Sequence, residues 1–162
     1  MSPAAEPTGR LVLLRHGETE WSRDGRHTGR TDVPPTAVTD DDLVEWDYGG
    51  YEGRTTSEIR DGLGDPGWSV FGEGVVPGDT PGETVEEVAA RASRVLARVA
   101  EPLRRGDVAL VAHGHLLRIL TATYLRQEAR FGAQLLLDAG AVCVLDHERG
   151  VPAVRSWNET AG

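Results

Sequence analysis

Apolar positions along this chain fall into two patterns. Leu11-Val12-Leu13-Leu14 and, within Asp107 to Ala112, Val-Ala-Leu-Val-Ala are short unbroken runs, as in strands buried on both faces of a parallel sheet. Between them Val85, Val88, Ala89, Ala92, Val95, Leu96, Val99 and Leu103 recur at helical spacing, which gives a long helix one apolar face. Thr84-x-x-Glu87 is a capping box that starts this helix, and Gly106 is its stop signal. A further helix is predicted from about Leu116 to Leu125, after the second strand. Ala141 to Leu145 and Val151 to Trp157, with His147-Glu148-Arg149-Gly150 between them, predict a closing hairpin.

The intervening stretches are polar. From Gly17 to Asp42 the chain is dominated by Gly, Thr, Asp and Pro, which reads as loop, and Pro34-Pro35 excludes a central strand or helix interior there. Thr55-Thr56-Ser57-Glu58 can start a short helix. Gly62 to Gly82 is rich in Gly, Pro and Trp and reads as an irregular lid or surface loop. Alternating strand and helix patterns give an α/β layered fold: three layers, a mostly parallel sheet and helices on both faces. At 162 residues one domain is expected over 10–162, preceded by a disordered tail over 1–9.

Composition narrows the function classes. The net charge is −9, and no basic footprint for nucleic acid is visible. No apolar run approaches the ~18 residues of a membrane span, and the first ten residues lack a secretory pattern. The one cysteine, Cys143, allows no internal disulfide and reads as inert core. No nucleic-acid or membrane partner is therefore expected, and the cytoplasm is the default location. An anionic substrate stays compatible with this charge, because local arginines and histidines can dominate a pocket.

Both buried strands end in a His-Gly step, His16-Gly17 and His113-Gly114. Ligands of open α/β sheets collect beyond the carboxyl ends of strands. If the two strands are neighbours, His16, His113 and Arg15 surround one point. Such a set suits a tetrahedral dianion: one imidazole attacks phosphorus, the other donates to equatorial oxygens, and the guanidinium fork binds two oxygens at once. Backbone N–H groups at the helix start after Gly114 add an anion site. His113-x-His115 has no third ligand in view, so no metal site is predicted.

The string Leu13 to Ser22 (Leu-Leu-Arg-His-Gly-Glu-Thr-Glu-Trp-Ser) resembles the signature of the histidine phosphatase superfamily, the phosphoglycerate mutase-like proteins. Val111 to Arg118 resembles its second histidine motif, Glu45 to Gly53 its acid-residue motif, and Pro81-Gly82-Glu83-Thr84 the segment before its penultimate long helix. The chain looks most like the small actinobacterial-type acid phosphatases. The resemblance implies that His16 is the nucleophile that becomes phosphohistidine, that Arg15 and His113 hold the transferring group, and that Glu45 is the acid toward the leaving alcohol and then the base for water. Ser22 stands where mutases carry an asparagine that touches phosphate. Thr28, Gly29 and Tyr48 would line the substrate mouth, and Gly114 and His115 would offer backbone donors. The implied activity is cofactor-free hydrolysis of a small phosphorylated metabolite, with a phosphoglycerate mutase or a catalytically impaired relative as the alternatives.

The chain departs from this family in one place. His16 and Glu45 are 29 positions apart (45 minus 16), where the family has a helix, a strand, a further helix start and a second phosphate-binding arginine. The missing helix-strand segment falls between Thr36 and Ala37. Arg23, Arg26 and Arg30 remain as candidates to replace the arginine. A sheet that loses an interior strand keeps a poorly paired edge, which favours aggregation or a homodimer.

Overall fold

The computed structural model describes residues 7–17 and 37–160. Ser22, Thr28, Gly29 and the three candidate arginines lie outside the described residues.

Among the described residues four strands form one sheet in the order β2-β1-β3-β4: β1 Leu11–Arg15, β2 Val108–Ala112, β3 Val142–Glu148 and β4 Val151–Glu159. The two strands that end in histidine are indeed neighbours. β1 and β2 run parallel with Leu13 opposite Leu110 and Arg15 opposite Ala112. On its other side β1 pairs antiparallel with β3, Leu13 opposite Cys143, and β3 and β4 form the predicted hairpin. Its turn is tight because Arg149 and Gly150 both take positive φ, 52° and 78°, the requirement of a two-residue hairpin loop. The α/β class holds, but among the described residues the sheet is mixed, with one parallel and two antiparallel pairings.

Among the described residues four α-helices accompany the sheet: α1 Thr56–Leu63, α2 Val70–Glu73, α3 Val85–Leu103 and α4 Gly114–Tyr124. Capping boxes start α1 at Thr55/Glu58 and α3 at Thr84/Glu87, each with both reciprocal bonds formed. The apolar stripe of α3 buries Val85, Val88, Ala92, Val95 and Leu103. It packs on α4, which is apolar nearly all round and buries Leu116, Leu117, Ile119 and Leu120. α3 reaches β2 and α4 reaches β1, so the core lies between this helix pair and one face of the sheet. α3 ends at Leu103 with Arg104 as its C-cap, just before the predicted stop at Gly106.

Three expectations need correction. β2 is buried on one face only: Leu110 and Ala112 face the core, while Ala109 and Val111 are exposed, Val111 at 57%. An unbroken apolar run does not tell a two-sided strand from one covered on a single face, and among the described residues β2 is the edge of the sheet. The stretch 62–82 is not merely a lid. It holds α2, and its Trp68, Val70 and Phe71 are buried. Gly9, assigned to the tail, is buried and donates its N–H to the Leu103 carbonyl at 2.8 Å.

Candidate active site

The parallel pairing carries His16 and His113 to the same edge. His16 follows β1 and its N–H donates to the Ala112 carbonyl at 3.1 Å. His113 is the residue before α4, in extended conformation. Their side chains meet, His16 Nε2 to His113 Nδ1 at 2.8 Å, with the rings nearly perpendicular at 83°. His16 Nδ1 lies 3.1 Å from the Gly17 carbonyl. A carbonyl only accepts, so Nδ1 carries the hydrogen and the neutral ring has its lone pair on Nε2. His113 Nδ1 is then the donor between the rings. Burial holds the His113 pKa below the ordinary imidazole value, with the nearby charge of Glu45 opposing that shift.

Arg15 completes this group. Its Nη1 donates to the Leu137 carbonyl, and its guanidinium lies across the start of α4. A Cβ on Gly114 would stand 3.1 Å from Arg15 Nε and 3.2 Å from Cζ. Gly114 is therefore the residue that lets the cation close over the helix N-terminus.

Glu45 comes from an irregular stretch between a 3₁₀ turn over Asp41–Leu43 and α1. Its Oε2 accepts the His115 N–H at 3.1 Å, and its Oε1 accepts the Leu116 N–H at 2.9 Å and the Trp46 N–H at 2.9 Å. The carboxylate thus occupies the positive end of α4, where a helix favours negative charge. This corrects one expectation: the His115 backbone donor is bonded to Glu45 and is not left for substrate.

The His115 side chain turns into an aromatic cluster. The Tyr48 hydroxyl is 2.5 Å from His115 Nδ1, and Trp46 and Phe71 flank the ring at 6.1 and 5.3 Å. Burial lowers the His115 pKa and raises that of the Tyr48 phenol, the latter helped by Glu45 and Glu52. Both groups are neutral near pH 7, so Tyr48 and His115 form a fixed neutral pair beside Glu45. Among the described residues no group of three or more His, Cys, Asp or Glu side chains is arranged to hold a metal.

Three residues were given no role by the sequence reading. Arg118, one turn into α4, places its guanidinium 4.7 Å from the Phe71 ring centre. It donates to the Gly132 and Ala133 carbonyls at 2.9 and 3.1 Å, which ties α4 to the 3₁₀ segment Ala129–Gln134. Glu83 and Arg91 brace the Glu45 stretch from behind. Arg91 carried a readable signal: it falls three residues after Val88 and four before Val95, so a cation sits on the apolar face of α3.

Comparison with known proteins identifies the family. The family model described as histidine phosphatase superfamily (branch 1) matches residues 11–38 and 35–160. The chain belongs to this superfamily. The two matched pieces meet around Thr36 and Ala37, where the sequence reading placed the missing segment. An acid phosphatase of Mycobacterium tuberculosis is 31% identical over 185 aligned positions, covering 88% of each chain. That alignment is longer than the 162 residues available here, so part of the relative has no counterpart in this chain. A sedoheptulose 1,7-bisphosphatase of Saccharomyces cerevisiae is 27% identical, over 72% of this chain and 68% of the relative. The solved structure of an open reading frame of Mycobacterium tuberculosis superposes with a TM-score of 0.76 at 29% identity, covering 94% of this chain and 98% of that one. A mixed sheet of four described strands is what this phosphoglycerate mutase-like fold becomes once shortened.

Proposed function

We propose that this histidine phosphatase family member is a phosphomonoesterase that works through a phosphohistidine on His16. The observation that carries this reading is the 2.8 Å approach of His16 Nε2 to His113 Nδ1, with the hydrogen of His16 held on Nδ1 by the Gly17 carbonyl. The N–H of His113 points at this lone pair, so a phosphoryl group that enters between the rings meets the nucleophile and takes over the His113 hydrogen bond on an equatorial oxygen. Phosphatase relatives on the same fold support the reaction class.

In the first step the Nε2 lone pair of His16 attacks phosphorus. The P–N bond forms, the P–O bond to the alcohol breaks, and Glu45 gives its proton to the departing oxygen. Oε1 of Glu45 takes two N–H donors and Oε2 one, which leaves Oε2 the freer oxygen to carry that proton. His113 Nδ1–H and the Arg15 guanidinium stabilise charge on the equatorial oxygens. In the second step Glu45 takes a proton from water, the hydroxide oxygen bonds to phosphorus, and the P–N bond breaks to release inorganic phosphate. No step needs a cofactor. The substrate class is a small phosphorylated metabolite.

The deciding experiment exposes the protein briefly to a ³²P-phosphoester, quenches it with base and maps the label. Acid-labile phosphate on His16, with inorganic phosphate released in water, is the expected result. Label on another residue, or none in a protein that turns over, would sink the phosphohistidine mechanism. Transfer that requires 2,3-bisphosphoglycerate and releases no phosphate would instead make the chain a mutase.

A further inference from the structure

Glu45 belongs to a stretch, 44–48, with no helix or strand of its own. Something other than a hydrogen-bonded ladder must fix its backbone. The fixing groups are two side chains. Arg91, only 9% exposed, donates from Nη1 to the carbonyls of Asp42 at 2.8 Å and Val44 at 3.0 Å, and from Nη2 to that of Glu45 itself at 3.4 Å. The same guanidinium forms a two-pronged ion pair with Glu83, Nε to Oε1 at 2.6 Å and Nη2 to Oε2 at 2.8 Å. Glu83 in turn accepts the Asp47 N–H at 3.0 Å, and its backbone accepts the Trp46 indole N–H at 2.7 Å and donates to the Asp47 carbonyl at 2.9 Å. One ion pair thus holds the backbone or side chain of residues 42, 44, 45, 46 and 47.

A buried ion pair is an expensive way to stabilise a core, because desolvation offsets most of its attraction. It is an effective way to hold several backbone groups at fixed positions, because a guanidinium has five donors in a rigid plane. We propose that Glu83 and Arg91 are a positioning pair for Glu45: they set the backbone from which its carboxylate reaches the start of α4, and so govern proton delivery to the leaving alcohol without taking part in attack on phosphorus. This rests on the acid role proposed for Glu45.

The test uses Glu83→Gln and Arg91→Lys, with Glu45→Gln as reference and as double variants. Each is assayed on β-glycerol phosphate, whose alkoxide needs a proton, and on p-nitrophenyl phosphate, whose phenolate needs little. If Arg91 acts through Glu45, Arg91→Lys costs on the order of tenfold or more in kcat/KM on the alkyl ester and a few-fold at most on the aryl ester. Added to Glu45→Gln it then costs little more. Equal losses on both esters would reduce the pair to a structural brace and overturn the proposal. If Glu45→Gln itself spares the alkyl ester, the acid reading fails and takes the proposal with it. Hydrogen exchange gives a readout free of turnover. The His115 and Leu116 amides, both bonded to the Glu45 carboxylate, lose protection about tenfold in Glu83→Gln while the interior amides of α4 do not. Unchanged protection of those two amides would also overturn the proposal, and the milder Glu83→Gln keeps the test open if Arg91→Lys does not fold.

Discussion

His16 and Glu45 reach one site from parts of the molecule held in place by different physics. On the His16 side the work is done by strand pairing. β1 lies between two neighbours, Leu11 and Leu13 are buried against the helix pair, and the histidine simply continues the strand. On the Glu45 side there is no ladder. A guanidinium and a carboxylate reach in from α3 and the segment before it to hold an irregular stretch, whose own Trp46 indole reaches back to the Glu83 carbonyl. The sheet side depends on apolar volume. The loop side buries Trp46, and its backbone depends on a few directional bonds. The family's missing segment falls between these two regions, after His16 and before Glu45. The shortened sheet keeps its central strand, and the loop keeps its brace.

The largest expected effect breaks the His16 side at its tip. His16→Ala removes the attacking atom, so turnover and phosphoenzyme should disappear together, a loss of at least on the order of 10⁴-fold. His113→Ala removes only a donor to the transferring group and should leave weak labelling at His16. Rapid-quench labelling of both variants checks this. Undiminished turnover in His16→Ala would end the mechanism.

Next in size is the leaving-group split on the Glu45 side. Glu45→Gln keeps the shape of the side chain and one oxygen to accept the Leu116 and Trp46 N–H groups, but its NH2 group cannot accept the His115 N–H or deliver a proton. The loss should be on the order of 10²-fold on β-glycerol phosphate, and much smaller on p-nitrophenyl phosphate. Steady-state kcat/KM on the two esters decides it, and equal losses would remove Glu45 from the acid role.

These two sides also differ in how much of them could be read from the sequence. β1, β2, α3, α4 and the hairpin are written in apolar periodicity, and the meeting of His16 with His113 follows once β1 and β2 are neighbours. The Glu45 side is not written that way. Arg91 and Glu83 act through backbone carbonyls and amides that any residue could supply, so no pattern at positions 42–47 announces them. Trp68 and Phe71 were hidden for a related reason: two aromatic residues in a Gly- and Pro-rich stretch show no period, yet Trp68 packs edge-on against Tyr51 at 5.2 Å and Phe71 against Trp46 at 5.6 Å. The open face of β2 was illegible because exposure depends on which neighbours a strand has, and those are decided elsewhere in the chain.

The third prediction sharpens the account of the sheet side by comparing two residues on paired strands. Leu13 is fully buried and Val111 is 57% exposed. Leu13→Ala leaves a cavity between β1 and the helices and should cost roughly 2–5 kcal/mol. Val111→Ala should cost under about 1 kcal/mol, mostly strand propensity. Denaturant melts of the two variants measure the difference. Similar costs would show that the outer face of β2 is covered in solution.

The smallest effect probes the outer layer of the Glu45 brace. The Asp42 carboxylate bonds Arg94 and Arg98, each at 2.6 Å, while its carbonyl is held by Arg91. Hydrogen bonds from the two arginines pull the Asp42 pKa from 3.8 to about 2. A carboxyl more acidic in the folded state than in the unfolded one adds stability above its unfolded pKa and loses it as pH falls through its folded pKa. The contribution of Asp42 should therefore be complete above about pH 5, fall through the window between 3.8 and about 2, and be gone by about pH 1. Arg94 and Arg98 are about half exposed, so solvent and salt screen the pairs and the effect is modest. Between pH 5 and pH 2.5 the wild-type melting temperature should fall further than that of Asp42→Asn, by about 2–4 °C, and added salt should shrink that gap. Hydrogen exchange of the Val44 to Asp47 amides should rise over the same window while the β1 amides stay protected, because acid weakens the polar brace and leaves the apolar sheet intact. A pH dependence identical in both proteins would show that Asp42 is an ordinary surface carboxylate and that the brace ends at Arg91.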